Sequence, residues 1–166
     1  MKKGEKTGWS LIEIAIVVTI IGILAALAIP LFSLILKRSR LSGLANDLRQ
    51  HSQSILNYTM DDKGGGGDFP DSGPLLPDLE GYLSPIWDDP SPVGGNYSWH
   101  YVGKGNPKTS SAYIQISATG LSPFAIDLSD VVSLDRKIDD GNLGSGILQV
   151  AGNRIRYYVK LPAPNP

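Results

Sequence analysis

The sequence predicts an α+β fold in which one long N-terminal α-helix packs on a small antiparallel β-sheet. An almost uninterrupted apolar run extends from Trp9 to Leu36. Apolar residues then continue at helical spacing as far as Tyr58. Beyond Pro92 the apolar period changes to the alternation that is typical of strands, and several short strands after one long helix indicate a sheet packed on that helix.

The run from Trp9 to Leu36 has the length of a membrane-spanning helix. Its only charge is Glu13, and the next charge along the chain is Lys37. A helix over this run is roughly 42 Å long at about 1.5 Å per residue, more than the ~30 Å of a bilayer core. An acidic side chain costs roughly 2.5–3.5 kcal/mol at mid-membrane and less near a helix end, so Glu13 is a candidate functional residue. We expect it to need a partner that its own chain does not offer nearby.

A stripe of small residues runs along the same helix, roughly opposite Glu13. Its members are Ala15, Thr19, Gly22 and Ala26. Small residues let helices approach closely, although Ala and Gly are also simply common in apolar helices. Pro30 lacks an amide hydrogen and predicts a bend or local melting near Ala26–Pro30.

The segment from Gly8 to Pro30, GWSLIEIAIVVTIIGILAALAIP, resembles the N-terminal signature of type IV pilins and of the pseudopilins of type II secretion systems. In that family a prepilin peptidase cuts after the glycine, here Gly8, and methylates the new terminal amine, here that of Trp9. The family usually has Phe at this position, so Trp9 is a departure. The resemblance implies that Glu13 pairs with the terminal amine of a neighbouring subunit. The absence of cysteine departs from many type IV pilins, whose C-terminal region is closed by a disulfide, and favours a pseudopilin.

The resemblance implies a structural filament subunit and no enzyme. The preferred interpretation is a pseudopilin that starts as a single-pass bacterial inner-membrane protein, with its N-terminus cytoplasmic and its C-terminal domain periplasmic. It then polymerises with itself and other pseudopilins into a periplasmic or cell-surface filament that supports protein export. Its implied partners are prepilin peptidase, inner-membrane lipid, and a membrane platform with a cytoplasmic ATPase. The alternative is a type IV pilus subunit for adhesion, motility or DNA uptake, and nucleic acid is expected only in the last case.

Two interpretations outside this family also account for an apolar N-terminus. A secretory signal peptide would use the basic leader and the Ala26-Leu27-Ala28 site. Against it, the apolar run contains Glu13, exceeds the usual length and stays apolar after Ala28. An uncleaved anchor carrying an exported binding domain explains neither Glu13 nor Gly8.

The predicted segments follow from these patterns. They are a leader over 1–8, a membrane and polymerisation helix over 9–36, an amphipathic helix over 37–63, a Gly/Pro-rich connector over 64–92 and a sheet domain over 93–166. The amphipathic helix has an apolar stripe formed by Leu41, Leu44, Leu48, Ile55 and Tyr58. The Gly64–Gly67 run and the prolines after it predict that the helix ends near Asp61-Asp62-Lys63.

Alternating apolar residues predict the strands of the sheet domain. The predicted strands are Tyr97–Val102, Ala112–Ala118, Gly146–Val150 and Arg154–Lys160. Gly152-Asn153 predicts a hairpin turn between the last two. Phe124–Val132 fits either a further strand or a short helix.

One predicted loop is rich in oxygen ligands and is a candidate calcium site. It contains Asp135, Asp139, Asp140 and Asn142, although a solvated Asp-Asp-Gly-Asn turn has the same composition. Similarity to major pseudopilins, many of which bind calcium in a C-terminal loop, supports calcium binding here. The chain offers no catalytic constellation, and His51 and His100 are too isolated to suggest one. Its net charge of −1 gives no electrostatic case for nucleic acid.

Overall fold

The computed structural model describes residues 8–61, 68–73, 79, 81–106 and 110–161. The fold is α+β, as predicted: a long N-terminal helix and a four-stranded antiparallel sheet. The chain forms two compact units that divide after Arg38, inside this helix. The sheet and all of the core lie in the second unit.

Helix α1 extends over Leu11–Met60 without interruption. It ends at Met60, one to three residues before the predicted end, and the amide of Asp61 still donates to the Asn57 carbonyl at 3.1 Å. The predicted helix-terminating glycine run lies outside the described residues.

The part of α1 in the second unit buries the predicted apolar stripe. Leu44, Leu48 and Ile55 have no exposed surface, and Leu41 and Tyr58 are nearly buried. Successive members are three, four or seven residues apart, which places them on one face of the helix. This face packs into the core formed by the sheet.

The sheet contains the four predicted strands, with boundaries that differ from the prediction by at most two residues. They are β1 (Asn96–Val102), β2 (Ser111–Ser117), β3 (Leu148–Val150) and β4 (Arg154–Lys160), in the order β1-β2-β4-β3. The predicted turn between β3 and β4 is present, because the amide of Ala151 donates to the carbonyl of Arg154 at 3.0 Å across Gly152 and Asn153. Gly152 has a positive φ of 59°, which an L residue rarely adopts.

One face of the sheet supplies the core. Trp99, Ile114, Ile116 and Leu148 are fully buried. The indole Nε1–H of Trp99 donates to the carbonyl of Pro70 at 2.9 Å, so its polar atom is satisfied inside the core.

Helix α2 occupies Leu128–Ile138, between β2 and β3 in the chain. A helix was one of the two predictions for Phe124–Val132, but it begins later and extends six residues further. Asp127 and Asp130 form a capping box that fixes its start. Val131 and Leu134 are spaced to bury one face against the core.

A buried histidine interrupts the apolar stripe of α1. His51 is fully buried, and neither ring nitrogen has a hydrogen-bond partner among the described residues. Its ring packs edge-on at 4.9 Å against both Trp87, in a 3-10 turn over Pro85–Trp87, and Tyr97 of β1. The hydroxyl of Tyr97 donates to Asp47 Oδ2 at 3.0 Å. Burial lowers the pKa of His51 to about 4, so the ring is neutral in the folded protein at neutral pH.

Acid is expected to destabilise the sheet domain through His51. The folded pKa of about 4 lies below the ordinary value of 6.5, so the unfolded chain binds more protons between these values. Stability should therefore be fully present above pH 6.5 and fall by roughly 2–3 kcal/mol as the pH drops toward 4. Urea unfolding of the full chain in detergent, followed by tryptophan fluorescence across this range, measures the loss.

His51→Leu is the comparison variant, because leucine fits the apolar stripe and does not titrate. Asp47, whose pKa is raised by burial, titrates in both proteins. The difference in unfolding free energy between the two proteins therefore isolates His51. If the free energy of unfolding depended on pH identically in the wild-type protein and in His51→Leu, the role assigned to His51 would be contradicted.

Candidate assembly helix and candidate metal site

The start of α1 gives Glu13 a partner within its own chain. Ser10 is the residue before the helix, and its amide donates to Glu13 Oε2 at 2.8 Å. The carbonyl of Ser10 accepts from the amides of Glu13 at 3.1 Å and Ile14 at 3.3 Å. The expectation that Glu13 lacks a nearby partner is therefore wrong for its hydrogen bonding, because a carboxylate at the third helical position reaches back to the capping residue.

The charge of Glu13 is nevertheless uncompensated within the described chain. Oε1 accepts no hydrogen bond from the described residues, and no described cation forms a salt bridge with the carboxylate. The positive end of the helix dipole favours an acid here by about 0.3–1 kcal/mol. That is less than the cost of taking a carboxylate out of water. One oxygen and the net charge thus remain available to a partner outside the chain.

The small-residue stripe is exposed along its whole length. Ala15, Thr19, Gly22 and Ala26 all lie on α1 with no covering residue from the described chain. Thr19 Oγ1 donates to the carbonyl of Ala15 at 2.7 Å, which leaves the methyl group of this side chain free to pack. A Cβ added at Gly22 would meet nothing within 4 Å. The stripe is thus open to close approach by another helix.

Pro30 lies inside the helix without interrupting it. Residues on both sides remain α-helical, so the predicted local melting is not found. Pro30 cannot donate to the carbonyl of Ala26, which its missing amide would have reached. Its own carbonyl accepts a second donor, Ser33 Oγ, at 2.8 Å. The proline therefore removes one backbone hydrogen bond from an otherwise regular helix.

The surface of α1 before Arg38 is almost wholly apolar and exposed. An 18-residue window of the helix has a mean hydropathy of 2.8 and no buried residue, so by length and composition it is a candidate membrane span. Isoleucine, leucine and valine side chains along it are between 42% and 91% exposed. An exposed apolar surface of this extent indicates contact with lipid or protein.

The candidate metal site gathers three carboxylates at the end of α2. Oxygen atoms of Asp135, Asp139 and Asp140 lie within 4.8 Å of one another. Asp135 was predicted in a loop, but it lies on the last turn of α2, where the other two follow. It is fully buried, and neither carboxylate oxygen has a hydrogen-bond partner among the described residues.

Electrostatics at this site favour an added positive charge. Burial raises the pKa of Asp135, and the neighbouring charges of Asp140 and Asp139 raise it further. The nearby amide of Gly141 lowers the pKa of Asp135 by a smaller amount, although it does not reach hydrogen-bond geometry. A buried carboxylate with free oxygens beside two others fits a hard cation such as calcium, which takes six to eight oxygen ligands.

The turn between α2 and β3 holds two of these carboxylates in place. The amide of Ile147 donates to Asp139 Oδ2, and the amide of Asn142 donates to Asp140 Oδ1 at 2.7 Å. Gly146 has a positive φ of 79°, and a Cβ there would clash with the Asp139 carboxylate. The Oδ1 of Asn142 accepts from the amide of Gly144 at 3.1 Å in the same turn. Its second lone pair leaves Asn142 a candidate ligand beside the three carboxylates.

Two features of these sites were open to sequence reasoning and were missed. Ser10 followed by Glu13 matches the S-x-x-E pattern of a helix N-terminus, which identifies the amide partner of the carboxylate. Asp127 followed by Asp130, with Val131 and Leu134 after them, has helical spacing and signals that Asp135 lies on a helix.

Comparison with known proteins gives two similar relatives. Both are the type IV major fimbrial protein FimA of Dichelobacter nodosus; one is 40% identical over 67 residues and the other is 41% identical over 63 residues. The matched parts cover 40% and 38% of this chain. No family model matches the chain, and no solved structure matches it.

The chain spans about two fifths of the length of these curated relatives, 43% of one and 40% of the other. Over that stretch it is similar to type IV fimbrial proteins.

Proposed function

We propose that this chain is a structural subunit of a filament of the type IV pilin kind, polymerised through the exposed part of α1. The observation that carries the proposal is a membrane-length helix that no described residue covers, with a single carboxylate in its first turn. The similarity to type IV major fimbrial proteins supports it. The described residues around α1 offer no catalytic constellation.

Under this proposal the exposed part of α1 lies first in the membrane and later in the filament. In the precursor it spans the bacterial inner membrane as a single pass, with its N-terminus cytoplasmic and the sheet domain periplasmic. In the filament it packs against the helices of other copies. The stripe of Ala15, Thr19, Gly22 and Ala26 lets these helices approach closely, and prepilin peptidase, a membrane platform and its cytoplasmic ATPase are the proposed assembly partners.

Cleavage after Gly8 supplies the charge that Glu13 lacks. The α-amine of Trp9 has an ordinary pKa of about 7.7–8.0 and stays cationic when methylated, so it becomes a positive charge at the start of the helix. Paired with the free oxygen of Glu13 on an adjacent copy, each charge neutralises the other in apolar surroundings. Because desolvation opposes such a pair, its main effect is to fix the axial register of neighbouring helices.

Two members of this class remain as candidates. The type IV pilus subunit is supported by the fimbrial relatives. The type II secretion pseudopilin is supported by the absence of cysteine and by the three-carboxylate cluster, through the resemblance of the N-terminal segment. Both share the same assembly chemistry at Gly8, Trp9 and Glu13.

The carboxylate cluster is proposed to bind calcium. Asp135, Asp139 and Asp140 would hold the ion, which would neutralise the buried carboxylate and join the end of α2 to the turn before β3. Its role would be structural, because it would stabilise the folded sheet domain by binding the native state.

The first prediction concerns processing. Expressed with prepilin peptidase, the chain should lose residues 1–8 and gain one methyl group on Trp9, which intact-mass spectrometry detects. Gly8→Val should block the cut, whereas Gly4→Val within the leader should leave it unchanged. Loss through Ala28 would support a signal peptidase, and no loss would support an uncleaved anchor; either result contradicts the proposed route.

The second prediction separates the two contributions of Glu13 to assembly. Glu13→Ala removes both the hydrogen bond to Ser10 and the charge, whereas Glu13→Gln keeps an oxygen that accepts from Ser10 and loses only the charge. Both variants should be processed normally and should reduce the yield of sheared filaments by about tenfold or more, since a lone amine would be left in apolar surroundings.

Wild-type filament yield from Glu13→Gln would contradict the charge pair and assign Glu13 to helix capping alone. Glu5→Gln, in the leader that processing removes, is the matched control for loss of one acidic charge.

The third prediction concerns calcium. With the ion at about one hundred times its dissociation constant, the folded state should gain about 2.7 kcal/mol, which raises the unfolding midpoint by several degrees relative to chelator. Asp139→Asn with Asp140→Asn should abolish the shift. Asp88→Asn with Asp89→Asn, another exposed pair, should retain it. Equal thermal unfolding midpoints with calcium and with chelator in the wild-type chain would contradict the proposed calcium site.

A further inference from the structure

The sheet face that points away from the core carries an ordered set of aromatic, amide and arginine side chains. Strand register places His100, Tyr113 and Tyr158 side by side across β1, β2 and β4. The next row along the same strands contains Gln115 and Arg156, and the row after it contains Arg154. We use "outer face" for these six residues.

The three rings of the aromatic row lie close together. The rings of His100 and Tyr113 are stacked, 5.1 Å apart with planes 16° from parallel, and those of Tyr113 and Tyr158 are 5.1 Å apart and tilted by 46°. Each of the three residues is half-buried. The row is therefore a rigid, partly exposed surface with apolar ring atoms and polar tips.

Arg156 is held in place beside this row. Its Nε donates to Gln115 Oε1 at 3.3 Å, and its guanidinium carbon lies 5.2 Å from the centre of the Tyr113 ring. Its two terminal amino groups have no acceptor among the described residues. An arginine fixed in this way loses little conformational freedom when its two terminal amino groups bind an oxyanion.

The outer face is also free of acidic residues. The outward positions of these three strands carry serine, asparagine, valine, aromatic, amide and basic side chains. Arg154 and Arg156 form no salt bridge with a described carboxylate. Burial lowers the pKa of His100, and the positive charges of Arg156 and Arg154 lower it further.

We propose that the outer face binds an acidic polysaccharide, with Arg156 pairing with a sugar carboxylate while the neighbouring aromatic row contacts the sugar ring. Bidentate hydrogen bonds from arginine to a carboxylate are among the stronger and more directional polar contacts. Tyrosine provides rigid amphipathic contact area at low entropic cost. The proposal concerns the sheet domain alone and goes beyond filament assembly.

A nucleic acid fits this face less well. Its affinity depends on neutralising many phosphates, and two permanent cations would release few counterions. Neutral hydrogen-bonding groups surround the two arginines, which suits the hydroxyls of a sugar chain better than a phosphate backbone. The glycan is therefore the occupant that the side-chain chemistry favours.

The test measures binding of fluorescent oligogalacturonate to the full chain dispersed in detergent, by anisotropy. Neutral malto-oligosaccharide of the same length and a duplex oligonucleotide are the comparison probes. We expect saturable binding of oligogalacturonate alone, weakened about tenfold or more by Arg156→Gln. Lys104→Gln removes the same charge from an exposed salt bridge with Asp71 and should leave the affinity unchanged.

Arg154→Gln serves as a second variant, because this side chain is exposed and its replacement leaves the packing of the face intact; it should weaken binding by a smaller factor. Absence of saturable binding, equal affinity for the neutral glycan, or equal weakening by Lys104→Gln would overturn the proposal. Binding of the duplex alone would assign the face to nucleic acid instead. Since unassembled chain is used, these outcomes are independent of filament formation.

Discussion

The dominant constraint on this molecule is the apolar surface at the start of α1, which no described residue covers. Residues 11–36 form a helix that is apolar on every side, whereas residues 41–58 of the same helix are apolar only along the stripe that the sheet covers. Burial of apolar surface is worth about 25 cal/mol per Å², so a helix that leaves this much surface exposed gains strongly from lipid or from another helix. The change from one pattern to the other falls near Arg38, where the two units divide.

That covering determines the chemistry of Glu13. In water its carboxylate would be a good helix cap, and the amide of Ser10 satisfies one of its oxygens. Under an apolar covering the same group is only half satisfied, because Oε1 accepts nothing from the described chain and the charge has no counter-ion there. The hydrogen bond explains why Glu13 is compatible with the start of a helix. It leaves the net charge uncompensated within the described chain, which is why the proposed function pairs Glu13 with an external amine.

The sequence was sufficient where local patterns decide structure. The heptad-like spacing from Leu41 to Tyr58 and the alternation in Arg154–Lys160 depend on neighbouring residues, and both elements were predicted closely. The placement of β4 between β2 and β3 depends on pairing between distant segments, which no local pattern specifies. For the same reason the burial of Asp135 and the lack of hydrogen-bond partners for its carboxylate among the described residues could be seen only in the packed structure.

The distribution of charge on the sheet domain indicates binding sites that the net charge of the chain does not. A net charge of −1 gives no reason to expect an anionic partner. Yet the carboxylates of Asp135, Asp139 and Asp140 gather at the end of α2, while Arg154 and Arg156 lie on a sheet face that carries none. A charged ligand responds to the local electrostatic potential and to the hydrogen-bonding groups within its reach. The net charge of the whole chain hides these local differences, because opposite charges cancel in the sum. A nearly neutral chain can therefore present one site suited to a cation and another suited to an anion, provided that the fold keeps them on different elements.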